Sequence, residues 1–200
     1  IGRFLSLGLA EKIAGADADI MPGTAMERDA AIMFLDIRGF TAFSMTVPPS
    51  EVVAMLTSFH ARIVPVIRAH NGVVDKFLGD GVMVTFGAVA ATGTAAADAL
   101  RALDALLAEA QRWQEETRPH RGAPLLVNAA VASGRVVFAT VGNDNRLEYT
   151  AIGEAVNLAA KLEKHNKTER SIATVPADVF ARAVAEGYRP GDRFERRPQR

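Results

Sequence analysis

Apolar residues recur along this chain in two rhythms, and the alternation between them predicts its elements. Ala30-Ala31-Ile32-Met33-Phe34-Leu35 is an unbroken apolar run, long enough to cross a sheet covered on both faces, and reads as a buried strand ending at Asp36. Pro48-Pro49-Ser50-Glu51 then opens a helix whose Val52, Val53, Leu56, Phe59, Ile63 and Val66 recur at helical spacing. Pro65 lies near its end and Asn71-Gly72 closes it. Residues 73–78 and 82–86 flank Gly79-Asp80-Gly81, which predicts a tight β-hairpin with Asp80 at the tip. A second helical pattern covers 94–117, with Ala99, Leu100, Leu103, Leu106, Ala110 and Trp113 on one face.

Further on, strands are expected at about 125–132 and 135–141, separated by a turn at Ser133-Gly134, and again at 146–152 after a turn cluster at 142–145. From Gly153 a helix with Ala155, Val156, Leu158, Ala159 and Leu162 on its apolar side runs to about His165. The run Lys164-His165-Asn166-Lys167 reads as its solvated, dipole-complementing end. A short strand at 171–175 and a helix from Pro176 to about Ala185 follow, before a polar, basic tail. At the other end, residues 3–14 approximate a short amphipathic helix, and 15–29, with Gly15, Pro22 and Gly23, read as a loop.

The central order of strand, helix, hairpin, helix, strand is the split βαβ arrangement of a ferredoxin-like core, so the fold class is α+β with extra strands and helices. Two hundred residues, 49% of them hydrophobic, suffice for one such core. Residues 30–200 are expected to form that domain, with 1–29 a helix and linker from an upstream region. Twenty-three acidic and twenty-three basic residues cancel, so no global field recruits nucleic acid or an anionic membrane. The absence of cysteine removes disulfides, thiolate metal sites and cysteine nucleophiles. No run of membrane-spanning length and no signal peptide is expected, so this piece reads as soluble.

The candidate chemistry lies at two strand ends. Asp36 follows the first strand and precedes Ile37-Arg38-Gly39-Phe40-Thr41, a turn whose amides can face phosphate. On this stretch alone, an aspartate capping the next helix is the commoner reading. Asp80 alone is equally at home in an ordinary Gly-Asp-Gly turn. In a split βαβ sheet, however, the two strands are neighbours, and paired hard oxygen ligands suit Mg²⁺, which takes its remaining ligands from water and substrate phosphates. Such a pair can hold two ions for phosphoryl transfer.

With FLDIRGFT at 34–41, DKFLGDGVMVTF at 75–86 and EYTAIGEAVNLAAKLE at 148–163, roughly residues 28–190 resemble the catalytic domain of class III adenylate and guanylate cyclases. The resemblance implies a head-to-tail homodimer with shared sites, one protomer supplying two Mg²⁺ or Mn²⁺ and the other reading the base. Asp36 and Asp80 correspond to the metal-binding aspartates, with the Ile37 carbonyl as a further ligand. The amides around Gly39, Phe40 and Thr41 would meet the triphosphate, Lys76 and Thr150 would select the base, and Asn157 would orient the ribose. A lysine donor suits the adenine N1 acceptor, whereas guanine presents a donor there; the resemblance therefore implies ATP. Outside the resemblance, Lys76 is also a plausible solvated strand residue and Thr150 an ordinary β-former.

Two departures bear on activity. Where the family pattern has a transition-state arginine, this chain has Lys161, which keeps the charge but loses the planar fork. Lys164 and Lys167 are offset from Asn157 around the helix. The family's late phosphate-binding lysine has no obvious match before Arg200. The leading expectation is a cytoplasmic adenylate cyclase domain, in a parent protein that could be membrane-anchored. A weakly active or non-catalytic nucleotide-binding sensor and a guanylate cyclase are the alternatives. A diguanylate cyclase is disfavoured, because its hairpin signature is replaced by Gly79-Asp80-Gly81.

Overall fold

The computed structural model describes residues 25–117, 126–143, 146–169 and 171–191. The expected helix at 3–14, residues 15–24 of the expected loop and the basic tail beyond 191 lie outside the described residues. Eleven elements follow in order: β1 (Ala25–Arg38), α1 (Phe40–Ser44), α2 (Pro49–Ala69), β2 (Val73–Leu78), β3 (Gly81–Phe86), α3 (Ala95–Thr117), β4 (Leu126–Asn143), β5 (Arg146–Ile152), α4 (Glu154–Glu169), β6 (Ala173–Thr174) and α5 (Ala177–Ala185).

The strands form one sheet in the order β2-β3-β1-β4-β5, with β6 pairing parallel to β4. β1 is central and antiparallel to both neighbours, with Leu35 opposite Val82 on β3 and Ala129 on β4. This is the expected ferredoxin-like order. Alternation along β1 sends Ala31, Met33, Leu35 and Ile37 into a core with α2, α3 and α5. Ala30 and Ile32 point the other way, where Ala155 and Ala159 of α4 cover Ala132 and Val136. The apolar positions expected on α3 are all buried, and Trp113 packs on Phe59 with ring centroids 5.2 Å apart.

Several boundaries differ from the sequence reading. β1 begins at Ala25, because Ala25–Asp29 find partners along Arg135–Ala139 of β4. The turn expected at Ser133-Gly134 is absent: both residues pair with β1, opposite Ala31 and Ala30, and β4 runs unbroken. α4 continues to Glu169; its Leu158 is 41% exposed and its Asn166 fully buried, the reverse of expectation in each case. α2 is long and apolar enough by length and composition to cross a bilayer, which the sequence reading did not anticipate. Its Met55, Phe59, Ile63 and Ile67 stripe is packed into the core, however, as in the core helix of a globular domain.

Candidate functional site

β1 runs two residues past Asp36, to Arg38, and Asp36 is its first side chain beyond the apolar run on the α4 side. The Asp36 Oδ1 accepts the Ile37 N–H at 2.8 Å. Gly39 follows with φ 81°, a left-handed conformation that favours glycine, and starts α1. The first amides of a helix have no intrahelical acceptor, so Gly39, Phe40 and Thr41 supply a donor-rich turn beside the carboxylate. Across the sheet, β2 and β3 join through the two-residue turn Gly79-Asp80. Gly79 has φ 68° and Asp80 a negative φ, the pattern of a turn with glycine at its first central position. A Cβ at Gly81 would meet the Leu35 carbonyl at 3.3 Å and lie 3.6 Å from Asp36 Oδ1, which places this end of the hairpin against the Asp36 strand.

Asp36 and Asp80 meet. Burial, then the hydrogen-bonded and negatively charged Asp36 carboxyl, push the Asp80 carboxyl up to about 7, with Glu163 adding repulsion. Two carboxylates forced together at a sheet edge are a donor set that a hard divalent cation would relieve, so these residues fit a Mg²⁺ or Mn²⁺ site. Among the described residues no group of three or more His, Cys, Asp or Glu side chains could hold a metal ion, so further ligands would come from the Ile37 carbonyl, water and substrate.

The sheet coils so that its opposite edges approach. Lys76 on β2 donates to Thr150 Oγ1 on β5 at 2.7 Å, joining residues 74 apart in sequence. Between them sits Asp75, which the sequence reading did not single out. Its side chain is 2% exposed, while that of Lys76 is 35% exposed and forms a 3.2 Å ion pair with Asp75 Oδ1. Asp75 also accepts the Ala151 N–H at 3.0 Å and the Thr150 hydroxyl at 3.3 Å. Burial pushes the Asp75 carboxyl above its ordinary range, opposed chiefly by Lys76.

Asn157 and Lys161 are brought to a different place. Ala155, Ala159, Glu163 and Asn166 are the buried positions of α4, and Asn157 stands about 200° around the helix from Ala155. Asn157 and Lys161 are both exposed, and neither makes a side-chain hydrogen bond among the described residues. Lys164 is likewise exposed, and the side chain of Lys167 lies outside the described residues. The sequence reading also missed a buried polar network under α4. Asn128, opposite Asp36 on β4, donates to the Glu163 carbonyl at 3.0 Å and to its carboxylate. Asn166 donates to the Ala129 carbonyl at 2.7 Å, and Arg38 to the Ser171 carbonyl. In sequence only Asn128, set within an apolar strand pattern, signals such a network; Asn166 sits in a polar run.

Fold and residues together define a class III nucleotidyl cyclase domain. The family model of the adenylate and guanylate cyclase catalytic domain matches residues 24–182, and the chain belongs to that family. It is 33% identical to Adenylate cyclase 1 of Rhizobium meliloti (strain 1021) over 143 residues, 72% of this chain and 22% of that protein. It is 37% identical over 136 residues to an uncharacterized protein of Mycobacterium tuberculosis (strain ATCC 25618 / H37Rv), 68% of this chain and 24% of the relative. The chain thus spans about a quarter of the length of the curated relatives it matches. Among solved structures, the adenylyl cyclase CyaB from P. aeruginosa superposes with a TM-score of 0.74 at 25% identity, covering 81% of this chain and 83% of that one. The guanylyl cyclase Cya2 superposes at 0.71 and 26% identity, covering 82% and 81%.

Proposed function

We propose that this domain is an adenylate cyclase that forms 3′,5′-cyclic AMP and pyrophosphate from ATP at sites shared between two copies of the chain. The observation that carries the base assignment is the 2.7 Å contact between Lys76 and Thr150, which presents a donor and a hydroxyl side by side. Adenine offers the matching acceptor at N1 and donor at its 6-amino group. The Asp36 and Asp80 carboxylates and the Ile37 carbonyl would hold two divalent cations, which, when bound, would neutralise triphosphate charge and favour the ribose 3′ oxygen as nucleophile. The Gly39–Thr41 amides would steady the triphosphate. The 3′ hydroxyl gives up its proton to solvent as its oxygen bonds to the α-phosphorus and the bond to pyrophosphate breaks in line, and Lys161 stabilises the charge that develops.

Where the side chains point supports the dimer reading. Asn157 and Lys161 face away from their own sheet, whereas Asp36 and Asp80 meet at the ends of their strands, so a second chain would bring both sets to one nucleotide. Exposed Phe77 and Leu78 beside Lys76, Ile152 beside Thr150 and Leu158 beside Asn157 supply apolar surface at each of those residues. An upstream segment of the parent chain would set the relation of the two copies. A weakly active, nucleotide-sensing domain is the second reading, favoured by Lys161, which offers a point charge in place of a planar fork. Purified protein assayed with Mg²⁺ or Mn²⁺ and either ATP or GTP separates these readings. Cyclic AMP as the major product is expected, cyclic GMP as the major product overturns the base assignment, and nucleotide binding without product favours the sensor.

A further inference from the structure

The bulge in β2 gives the base-reading pair a third member. Val74 pairs with Val84 and Lys76 with Met83, so Asp75 is an extra residue without a partner on β3. A bulge of this kind turns two successive side chains to the same face, and both Asp75 and Lys76 reach across to β5. Three donors converge on the buried Asp75 carboxylate: the Ala151 N–H at 3.0 Å, the Lys76 ammonium at 3.2 Å and the Thr150 hydroxyl at 3.3 Å. The Ala151 carbonyl, at 3.5 Å, is the competing acceptor for that hydroxyl, and it is farther away and uncharged.

We infer that Asp75 is a positioning residue that fixes the hydrogen-bond polarity of Thr150 and thereby makes the site select a 6-amino purine; this rests on the adenylate cyclase reading. The count of protons decides it. A hydroxyl has one proton and two acceptor positions, and an ammonium has three protons. Thr150 spends its proton on Asp75 and one acceptor position on Lys76. Lys76 spends one proton on Thr150 and one on Asp75. What remains facing the open side is one acceptor on Thr150 and one donor on Lys76, the complement of the adenine 6-amino group and N1. A 6-oxo purine held by the same ribose would set its carbonyl oxygen against the Thr150 acceptor and its N1–H against the lysine. Without a carboxylate at position 75, the Thr150 proton is free to swing outward and the discrimination is lost.

The test compares dissociation constants, by calorimetry with Mg²⁺, for 3′-deoxy-ATP and its analogue lacking only the 6-amino group; without a 3′-hydroxyl neither can turn over. In the wild type the amino group should tighten binding about tenfold, the size of one net hydrogen bond. Asp75→Asn is isosteric but turns a donor toward Thr150, so the ratio should fall to about one. Thr150→Val should do the same, and adding Asp75→Asn to it should move the ratio no further. A residue that merely held the strand would weaken both nucleotides alike and leave the ratio at its wild-type value, which would overturn the inference. Asp75→Ala is measured beside Asp75→Asn. If neither folds, the wild-type ratio decides, a value near one overturning the inference and a tenfold value supporting it. The underlying reading fails separately, if wild-type protein binds 3′-deoxy-GTP more tightly than 3′-deoxy-ATP.

Discussion

Mixing two inactive variants should restore a defined fraction of activity, and the proposed shared-site dimer sets that fraction. Asp36→Ala removes one carboxylate of the pair at the sheet edge, and Asn157→Ala removes a side chain from the outward face of α4. Each alone should be inactive, because every site of its homodimer lacks one partner. A heterodimer has one site in which Asp36 and Asn157 are both intact and one in which both are missing. Equal amounts mixed at random give half heterodimers, each with one working site of two, so activity should recover to about one quarter of wild type. Varying the mixing fraction x should trace a curve proportional to x(1−x), with its peak at equal parts. Misfolding should not confuse the result. Asp36→Ala forfeits the 2.8 Å bond from the Ile37 N–H, about 1 kcal/mol, and relieves the repulsion that raises Asp80. Its melting temperature should therefore stay within a few degrees of wild type. The assay is cyclic AMP production after co-refolding, with heterodimer content measured by differential tagging. No recovery in preparations that contain heterodimers, or wild-type activity per chain that is constant on dilution below the dimer dissociation constant, would refute the shared-site reading.

Three other outcomes are expected. Asp80 is pushed up to about 7, above its unfolded value, so the metal-free fold binds that proton more tightly and its stability should fall as pH rises from about 4 to about 7. Mg²⁺ must displace the proton, so its affinity should rise by up to about tenfold per pH unit below 7 and then level off; an affinity flat from pH 5 to 8 in a calorimetric titration would contradict this. Replacing Lys76 by Glu and Thr150 by Ala should lower kcat/KM for ATP by about a hundredfold and narrow or reverse the ratio to GTP in steady-state kinetics. Lys161→Ala should lower kcat by up to about a hundredfold with little change in KM, while Lys161→Arg should hold or raise it; unchanged kcat in the alanine variant of an active enzyme would place the transition-state charge elsewhere.

The elements of the core were legible because periodicity reports which face of an element is buried. Trp113, Leu106, Leu103 and Ala99 announced α3, and the apolar run before Asp36 announced the middle of β1. The extent of long-range pairing was not legible. Ser133-Gly134 has the chemistry of a turn, yet both residues extend β4 because β1 is long enough to supply partners opposite them. Asn166 sits in a polar run and reads as solvated; it is buried because Asn128, Ala129 and the 171–174 segment close over it. Leu158 fits the helical stripe by spacing but faces outward, beside Asn157 on the side of α4 away from the buried Ala155 and Ala159. Asp75 was invisible for a related reason: in an alternating strand it would face away from Lys76, and only the bulge turns it to the same side.

The same hairpin carries both kinds of residue under the proposed reading. Lys76 and Asp80 are four residues apart, no more than about 13 Å along an extended chain. Within one copy they belong to different sites, Asp80 with the copy's own Asp36 and Lys76 with the nucleotide held by the partner's carboxylates. β2 is an edge strand, held on one side by β3 and across the open face by the Lys76, Asp75 and Thr150 contacts to β5. The hairpin thus places the contact to β5 and the Asp80 carboxylate on one short stretch of chain. Under that reading the Gly79-Asp80 turn is the shortest covalent link within one copy between the two sites it serves.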